Sequence, residues 1–267
     1  MWGKWVASIA LVLCWSGLAG ADVCDVPPEQ VLNSVVRISG DNTEGSGVIV
    51  APDRVITAAH VVTSIRTPMV DINGVRRPAN ILLINEAKDF ALLEVSTGGQ
   101  RAIPLRSQPM RISDAVWAVG FPLGGDQVVN EGEFEGVIED GTLHTTASVD
   151  HGQSGGGLIS CEDGRHVLAG MTTAFGAISA GGEIIRLDDY SVSLSAIDIK
   201  PLMEQSAYAA VAWVDTREQT EVSEPYYEEY LPEAAAAGYA GDSYDDQVLS
   251  RLGSAAYYPY LYYEERQ

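Results

Sequence analysis

Short apolar runs separated by turn residues recur along residues 22–203 and predict the architecture of this part of the chain. Turn residues interrupt the runs at about eight to twelve positions, a spacing typical of an all-β domain. Helical signal is weak and confined to residues 28–36, where proline precedes a helix-forming run, and to residues 197–206. The predicted strands span residues 34–39, 47–50, 54–57, 81–85, 90–95, 115–119, 158–161, 166–173 and 191–197.

The first 21 residues have a different pattern, typical of an export signal. Lys4 supplies positive charge, residues 6–15 are largely apolar, and residues 19–21 (A-G-A) are small. The apolar stretch is short for a membrane span, and no later segment is long and apolar enough to be one. We predict a signal peptide at 1–21, cleaved after Ala21, and a periplasmic or secreted chain without stable membrane insertion. A retained N-terminal anchor is the alternative.

Composition changes near residue 205. Residues 204–267 hold 13 acidic and 3 basic side chains and eleven of the chain's twelve tyrosines. Low aliphatic content with high negative charge predicts disorder or transient helix. The expected division is therefore a folded domain at 22–205 and an acidic, Tyr/Ala-rich low-complexity tail at 206–267. The tail is either a solvated segment or a docking or inhibitory one.

The net charge and the cysteine content argue against some classes of ligand and binding partner. The 267 residues include 37 acidic and 16 basic side chains, a formal net charge of −21. This charge disfavours partners held by their phosphates, so we expect no nucleic-acid binding. None of the three cysteines has metal-ligand spacing, and we expect no metal site. Once Cys14 leaves with the signal, Cys24 and Cys161 remain, either as a disulfide or as two unpaired thiols.

Two segments carry a candidate base and a candidate acid. One segment reads G-S-G-V-I-V at residues 45–50 and continues as R-V-I-T-A-A-H-V-V at residues 54–62. In it His60 follows small residues, which allow the close packing that a general base requires. Asp89 stands at the mouth of an almost wholly apolar strand, where a histidine N–H is a suitable partner for a buried carboxylate. Taken singly, His60 is more often a structural histidine, and Asp89 is equally well a turn residue.

A third segment, G-Q-S-G-G-G-L at residues 152–158, contains a candidate nucleophile. Glycines on both sides of Ser154 leave room for a substrate carbonyl and let successive backbone N–H groups point at a developing oxyanion. A glycine-serine run by itself is usually only a loop. His144, His151 and His166 are alternatives for the base, but they lack the flanking pattern of His60.

Together the three segments resemble the trypsin-like serine proteases, most closely the exported HtrA (Deg) type without a PDZ domain. The order His, Asp, Ser is that of the chymotrypsin fold. The family pattern is matched by T-A-A-H-V-V around His60, by the apolar residue, alanine and two aliphatics after Asp89, and by Gly-x-Ser-Gly-Gly around Ser154. Residues 118–124 and 195–200 also look like family turns, and the resemblance covers residues 30–205.

The resemblance implies a double six-stranded β-barrel with the active site between the barrels. It implies that Ser154 attacks the scissile carbonyl, His60 transfers the proton and Asp89 orients the imidazole, through an acyl-enzyme. The N–H groups of Gly152 and Ser154 would form the oxyanion hole. Polypeptides are then the substrates and no cofactor is needed. An oligomer is compatible with the family, but these residues do not specify one.

The resemblance also locates the primary specificity pocket. By alignment with the nucleophile, Ser148 lies at its base. With no aspartate there, we expect small or apolar substrate side chains rather than lysine or arginine. The predicted wall consists of Ala174, Phe175 and Gly176.

Two residues depart from the family pattern. Gln153 stands where relatives usually have asparagine or aspartate, and Gly157 stands where they usually have proline. The extra glycine predicts a looser oxyanion loop. A pseudoprotease that binds partners through its cleft, and a protein that acts through its tail, therefore remain alternatives to an enzyme.

Overall fold

The computed structural model describes residues 24–138, 141–180 and 183–215, and β-strands dominate these ranges. The predicted signal peptide and residues 216–267 of the predicted tail lie outside them. The predicted boundary after residue 205 falls within the last helix, which continues to Asp215. Within the described ranges, no helix has the length and apolar character needed to cross a membrane.

The first unit is a sheet of seven antiparallel strands. Its hairpins are joined by tight turns in which Asp53 and Asn73 adopt positive φ, a conformation that these two residue types tolerate. The strands are β1 (Val35–Gly40), β2 (Thr43–Ala51), β3 (Arg54–Thr57), β4 (Met69–Ile72), β5 (Val75–Pro78), β6 (Asn80–Asn85) and β7 (Phe90–Glu94).

The second unit is a closed barrel of six antiparallel strands in the order β10-β13-β12-β11-β8-β9. The strands are β8 (Ala115–Gly120), β9 (Val128–Val137), β10 (Leu143–Thr145), β11 (Gly157–Glu162), β12 (Arg165–Ala180) and β13 (Glu183–Ser195). The helices are α1 (Glu29–Leu32), α2 (Ala59–Val62) and α3 (Ala196–Asp215), with 3₁₀ turns at Glu86–Lys88 and Pro122–Gly124.

The all-β, double-barrel expectation is confirmed, with one difference in the first unit. Its strand order is β5-β4-β1-β2-β3-β7-β6, and the described residues form no ladder between the edge strands β5 and β6. The first unit is thus an open, curved seven-stranded sheet and not a closed six-stranded barrel. The edge strand β5 (V-R-R-P) is largely exposed and ends in proline, which lacks the N–H that a continuing ladder would need.

The predicted strands are all present, although four further strands were missed. These are β4, β5, β9 and β10. β9 has ten residues, of which only Phe134 is buried, so its apolar signal is weak. β10 has only three residues. Strands of this kind are stabilised by pairing with their neighbours in the sheet, so their own residue pattern gives little signal.

A single apolar cluster joins the two units. Ile56 and Phe90 from the first sheet and Leu168 and Met171 from the second barrel are almost completely buried within it. A smaller cluster around Phe134 fills the interior of the closed barrel. Burying each large side chain of this kind contributes about 1.5–3 kcal/mol. The shared cluster therefore fixes the two units against each other, and with them the cleft between.

Candidate active site

His60 lies in the single-turn helix α2, directly after strand β3. The small residues Ala58 and Ala59 are buried beneath it and leave room for the close approach of neighbouring backbone. The His60 side chain itself is 29% exposed, so one edge of the ring is open to a ligand. The local sequence therefore places the imidazole on a rigid support at the edge of the first sheet.

Asp89 holds His60 by two hydrogen bonds. Its Oδ1 accepts from the backbone N–H of His60 at 3.0 Å, and its Oδ2 lies 2.8 Å from His60 Nδ1. Asp89 has φ of 47°, in the left-handed region, at the end of the 3₁₀ turn before β7. Because an ionised carboxylate only accepts hydrogen bonds, Nδ1 carries the proton and Nε2 presents its lone pair.

Ser154 lies in the loop before β11, and two glycines allow this loop to turn. Gly152 and Gly155 have φ of 87° and 81°. A Cβ at Gly152 would lie 2.6 Å from the carbonyl oxygen of Phe121, and one at Gly155 would collide with the carbonyl oxygen of Ser46. Both positions thus combine positive φ with close packing, and glycine satisfies both requirements.

In the loop that carries Ser154, called the serine loop below, two backbone N–H groups point away from the hydrogen bonds that hold the loop. The carbonyl before Gly152 accepts from Leu123 N–H at 2.7 Å, and the carbonyl before Ser154 accepts from Gly156 N–H at 2.9 Å. A trans peptide directs its N–H opposite to its C=O. The N–H groups of Gly152 and Ser154 consequently have no acceptor among the described residues, whereas all other N–H groups of residues 150–156 have one.

Ser46 of β2 connects the first unit to the serine loop. Its N–H donates to Ser154 O at 2.9 Å, and its hydroxyl donates to Gly152 O at 2.7 Å. The same hydroxyl accepts from Phe121 N–H at 2.9 Å, and Thr57 Oγ1 donates to Ser46 O at 2.7 Å. Ser46 is completely buried. Nothing in the sequence pattern around Ser46 indicates this role.

The candidate nucleophile Ser154 and the candidate base His60 share no hydrogen bond in this structure. Neither Ser154 Oγ nor His60 Nε2 has a hydrogen bond within the described part of the chain. Such bonds are often long or absent in ligand-free enzymes and form when substrate binds. Gly157 belongs to strand β11, paired with Val119 and Met171, so it does not extend the loop as its sequence position suggested.

The other three histidines occupy different surroundings. His144 is buried, with its ring 3.8 Å from the Tyr190 ring, and burial lowers its pKa below 6.5. The Nε2 of His166 lies 2.8 Å from the carbonyl oxygen of Asp25. His151 packs edge-on against Phe175 at 5.2 Å, and burial lowers its pKa as well. No hydrogen bond links any of them to Ser154.

The predicted pocket residues lie on two segments, the one that leads to Ser154 and strand β12. Ser148 is held through its carbonyl, which accepts from Asn130 Nδ2 at 2.7 Å. Ala174, Phe175 and Gly176 follow one another on β12. A Cβ at Gly176 would approach Tyr190 to 2.5 Å, so the strand is closely packed from behind.

Arg186 contacts the segment that leads to Ser154, although its place in the sequence does not indicate this. It lies on β13, opposite Ala177 of β12, and its guanidinium reaches Ser148 and Val149. The residue pattern around it gives no signal, because a lone arginine on a polar hairpin is usually a solvated side chain. Only the strand pairing brings it to Ser148 and Val149.

Cys24 and Cys161 form a disulfide bond. It connects the segment before α1 to strand β11, with 137 residues between the two cysteines in sequence. Cross-links that close long loops restrict the unfolded chain most. Across residues 24–138, 141–180 and 183–215, no group of three or more His, Cys, Asp or Glu side chains is placed to hold a metal ion.

The family model described as "Trypsin-like peptidase domain" matches residues 45–171. Over 131 residues the chain is 34% identical to the magnetosome formation protease MamE of Paramagnetospirillum magneticum, covering 43% of this chain and 18% of that protein. Over 130 residues it is 31% identical to the serine endoprotease DegS of Escherichia coli K12, covering 44% and 37%. The chain thus spans well under half of these relatives.

Solved structures share the fold. A serine endoprotease from Yersinia pestis aligns with a TM-score of 0.57 at 24% identity, covering 68% of each chain. The HtrA-type protease AlgW with a tripeptide aligns with a TM-score of 0.59 at 21% identity, covering 67% of this chain and 62% of that one. These neighbours and the family match agree with the resemblance found in the sequence.

Proposed function

Because residues 45–171 match the family model of the trypsin-like peptidase domain, we propose that the chain hydrolyses peptide bonds in polypeptides through Ser154, His60 and Asp89. The observation that carries this proposal is the pair of N–H groups at Gly152 and Ser154 that have no acceptor among the described residues. An acyl-transfer enzyme needs two such donors for its oxyanion.

The first half of the reaction forms an acyl-enzyme. Ser154 Oγ attacks the scissile carbonyl carbon while its proton passes to the Nε2 lone pair of His60. The carbonyl oxygen becomes an oxyanion that accepts from the N–H groups of Gly152 and Ser154, each worth about 3 kcal/mol. Asp89 stabilises the imidazolium through Nδ1–H. The C–N bond then breaks, and His60 gives its proton to the departing amine.

The second half releases the acid product. Water attacks the ester carbon and loses a proton to His60 Nε2, and the oxyanion forms again in the same cradle. Breaking the ester bond returns the proton to Ser154 Oγ and frees the carboxylic acid. The Ser154–His60 hydrogen bond that the ligand-free protein lacks forms as substrate excludes water from the cleft.

A fluorophosphonate probe tests this proposal on the purified full-length chain. We expect one label per molecule, on Ser154, absent from Ser154→Ala and strongly reduced in His60→Ala. His166→Ala is the matched histidine control, because His166 bonds Asp25 and not the triad, and it should label like wild type. Absence of labelling in wild type would contradict the enzyme and favour a pseudoprotease that binds partners through its cleft.

We also propose that the chain is exported and that residues 206–267 are a separate acidic tail. The signal pattern at residues 1–21 and the Cys24–Cys161 disulfide, which oxidising compartments favour, support export. Intact mass of the protein recovered from its native host should show a chain that begins at Asp22. A mass that retains residues 1–21 would indicate an N-terminal anchor instead.

A further inference from the structure

Arg186 ties strand β13 to the start of the serine loop. Its Nη2 donates to the Val149 carbonyl and lies 3.5 Å from Ser148 Oγ. Its Nη1 lies 2.9 Å from Asp150 Oδ1. One side chain from the β12–β13 hairpin therefore contacts three consecutive residues at the point where the chain enters the loop.

The Asp150 carboxylate extends this contact into the loop. Its Oδ1 also accepts from the His151 N–H at 2.7 Å. The Asp150 N–H donates to Gln153 Oε1 at 2.7 Å, and the Asp150 carbonyl accepts from the Gln153 N–H at 3.0 Å. Asp150 is thus held between Arg186 on one side and the backbone of the loop on the other.

The Phe175 ring connects Arg186 to His151 by a second route. Arg186 Cζ lies 4.9 Å from the ring centroid, and the His151 ring packs edge-on against Phe175 with the two centroids 5.2 Å apart. Packing on an aromatic face favours one orientation of the guanidinium plane. Both routes from Arg186 end at His151, the residue before Gly152.

The peptide between His151 and Gly152 presents one of the two proposed oxyanion donors. Its carbonyl accepts from the Leu123 N–H at 2.7 Å, which directs the Gly152 N–H to the opposite side. Gly152 has φ of 87°, and glycine restricts its own backbone less than any other residue. Contacts that fix His151 therefore also limit the rotation of this peptide.

The exposure of these groups sets the size of the expected effect. The Arg186 side chain is 29% exposed and that of Asp150 is 42% exposed, so water weakens their ion pair. Asp188, whose Oδ1 lies 3.6 Å from Arg186 Nε, is 91% exposed and is weakened further. Val149 is buried, and its hydrogen bond with Arg186 is better protected from water. We therefore expect a moderate loss, and not a complete one, when Arg186 is removed.

We infer that Arg186 is a positioning residue that keeps the Gly152 N–H directed at the substrate carbonyl oxygen. It acts through Asp150 and Phe175, and all three guanidinium nitrogens face groups of the protein, so we assign it no contact with substrate. The inference rests on the proposed function, in which the Gly152 N–H is an oxyanion donor.

The first test measures how fast a fluorophosphonate labels Ser154, because the oxygen on phosphorus occupies the oxyanion site. The full-length chain is used as wild type, Arg186→Ala, Arg186→Lys and Arg165→Ala. Arg165, an exposed arginine at the β11–β12 turn, is the matched control and should label like wild type. We expect Arg186→Ala to lower the labelling rate about tenfold, less than the 10²- to 10³-fold loss of a whole donor. Arg186→Lys should recover part of the rate, since lysine keeps the charge but lacks the planar fork.

Peptide kinetics and a double-mutant cycle separate positioning from a merely structural role. On a peptide that wild type cleaves, Arg186→Ala should lower kcat about tenfold and leave KM unchanged. In the Gly152→Ala background the donor is already displaced, so adding Arg186→Ala should lower the labelling rate by less than about twofold. If wild type is labelled, a wild-type rate for Arg186→Ala overturns this inference alone. An equal loss in both backgrounds does the same.

Hydrogen exchange tests the same contact without any chemistry. In the Ser154→Ala variant, mass spectrometry of peptides that cover residues 148–153 should show faster amide exchange once Arg186→Ala is added. The affected amides are those of His151 and Gln153, which bond to Asp150. Unchanged exchange refutes the inference, whether or not wild type reacts with the probe. A wild type that is not labelled contradicts the proposed function alone, and exchange then decides whether Arg186 holds the loop.

Discussion

The two halves of the candidate site are held by different means. On the first sheet, His60 and Asp89 are joined directly, side chain to side chain and side chain to backbone, at 2.8 and 3.0 Å. On the second barrel, the backbone of the serine loop positions Ser154. Glycines on either side of Ser154 have positive φ, and carbonyl groups of the loop accept hydrogen bonds that hold it in place. The candidate acid–base pair therefore depends on side-chain chemistry, whereas the candidate nucleophile and its proposed oxyanion donors depend on peptide geometry.

Ser46 is the place where the two halves meet. A residue of the first sheet contributes its N–H and its hydroxyl to the carbonyls of Ser154 and Gly152. Because Ser46 is completely buried, these hydrogen bonds are not exchanged with water. The orientation of the serine loop is thus set by the sheet that carries the base, which couples the two halves mechanically.

The largest loss of activity is expected when the side-chain contact between His60 and Asp89 is changed. Asp89→Asn keeps the shape and the left-handed backbone, which asparagine tolerates, but it removes the charge that fixes the Nδ1–H tautomer. We expect kcat to fall by about 10⁴-fold with an unchanged melting temperature, measured on a peptide that wild type cleaves. Asp163→Asn, also at positive φ, is the control and should retain full activity. A loss below tenfold for Asp89→Asn would remove this residue from the triad.

A substitution that displaces the backbone of the serine loop is expected to lower kcat by a smaller factor. Gly152→Ala puts a Cβ 2.6 Å from Phe121 O at a φ of 87°, so the peptide that offers the Gly152 N–H must rotate. We expect kcat to fall by about 10²- to 10³-fold while KM changes little. Gly74→Ala has a similar φ of 77° but open space around it, and should only lower stability. If both variants keep activity, the Gly152 N–H is not an oxyanion donor.

A smaller effect should follow from cutting the link between the halves. Ser46→Ala leaves the Gly152 carbonyl and the Phe121 N–H without their buried partner, which costs about 1–3 kcal/mol of unfolding free energy. We expect a measurable fall in kcat as well. Ser34→Ala, which loses only a hydroxyl bond to Val31 O in the turn between α1 and β1, should lose stability alone. Equal activity in both variants would show that the loop holds its shape without Ser46.

The smallest expected effect is a dependence of stability on pH that arises from His144 in the second barrel. Burial lowers the pKa of His144 below 6.5, although Glu135 and Asp189 oppose the shift, so on acidification the unfolded chain binds a proton that the folded chain resists. Stability therefore falls as pH drops below 6.5, by at most about 1.4 kcal/mol per pH unit for this group. Urea unfolding at pH 7.5 and 5.5 should show a smaller fall for His144→Phe than for wild type. An identical fall would exclude His144 as a cause.

Much of the site could be predicted from sequence because its signals are local. The apolar run of β7 after Asp89, the small residues before His60 and the glycines around Ser154 each describe their own surroundings. The spacing of apolar runs and turns predicted an all-β domain, and the family resemblance that the three segments carry implied two barrels. The missed strands β5 and β9 are mostly exposed, and their pairing depends on neighbours that a linear pattern does not reveal.

What the sequence determined by itself was the set of chemical groups and the strands that carry them. Tertiary structure decided the rest: the N–H groups at Gly152 and Ser154 without an acceptor among the described residues, the contacts of Ser46, the pairing of Cys24 with Cys161, and the contact of Arg186 with Ser148. The physical reason is range. Strand propensity and turn geometry act over a few neighbouring residues, whereas a pocket is enclosed by segments that only the sheet register and the shared core bring together.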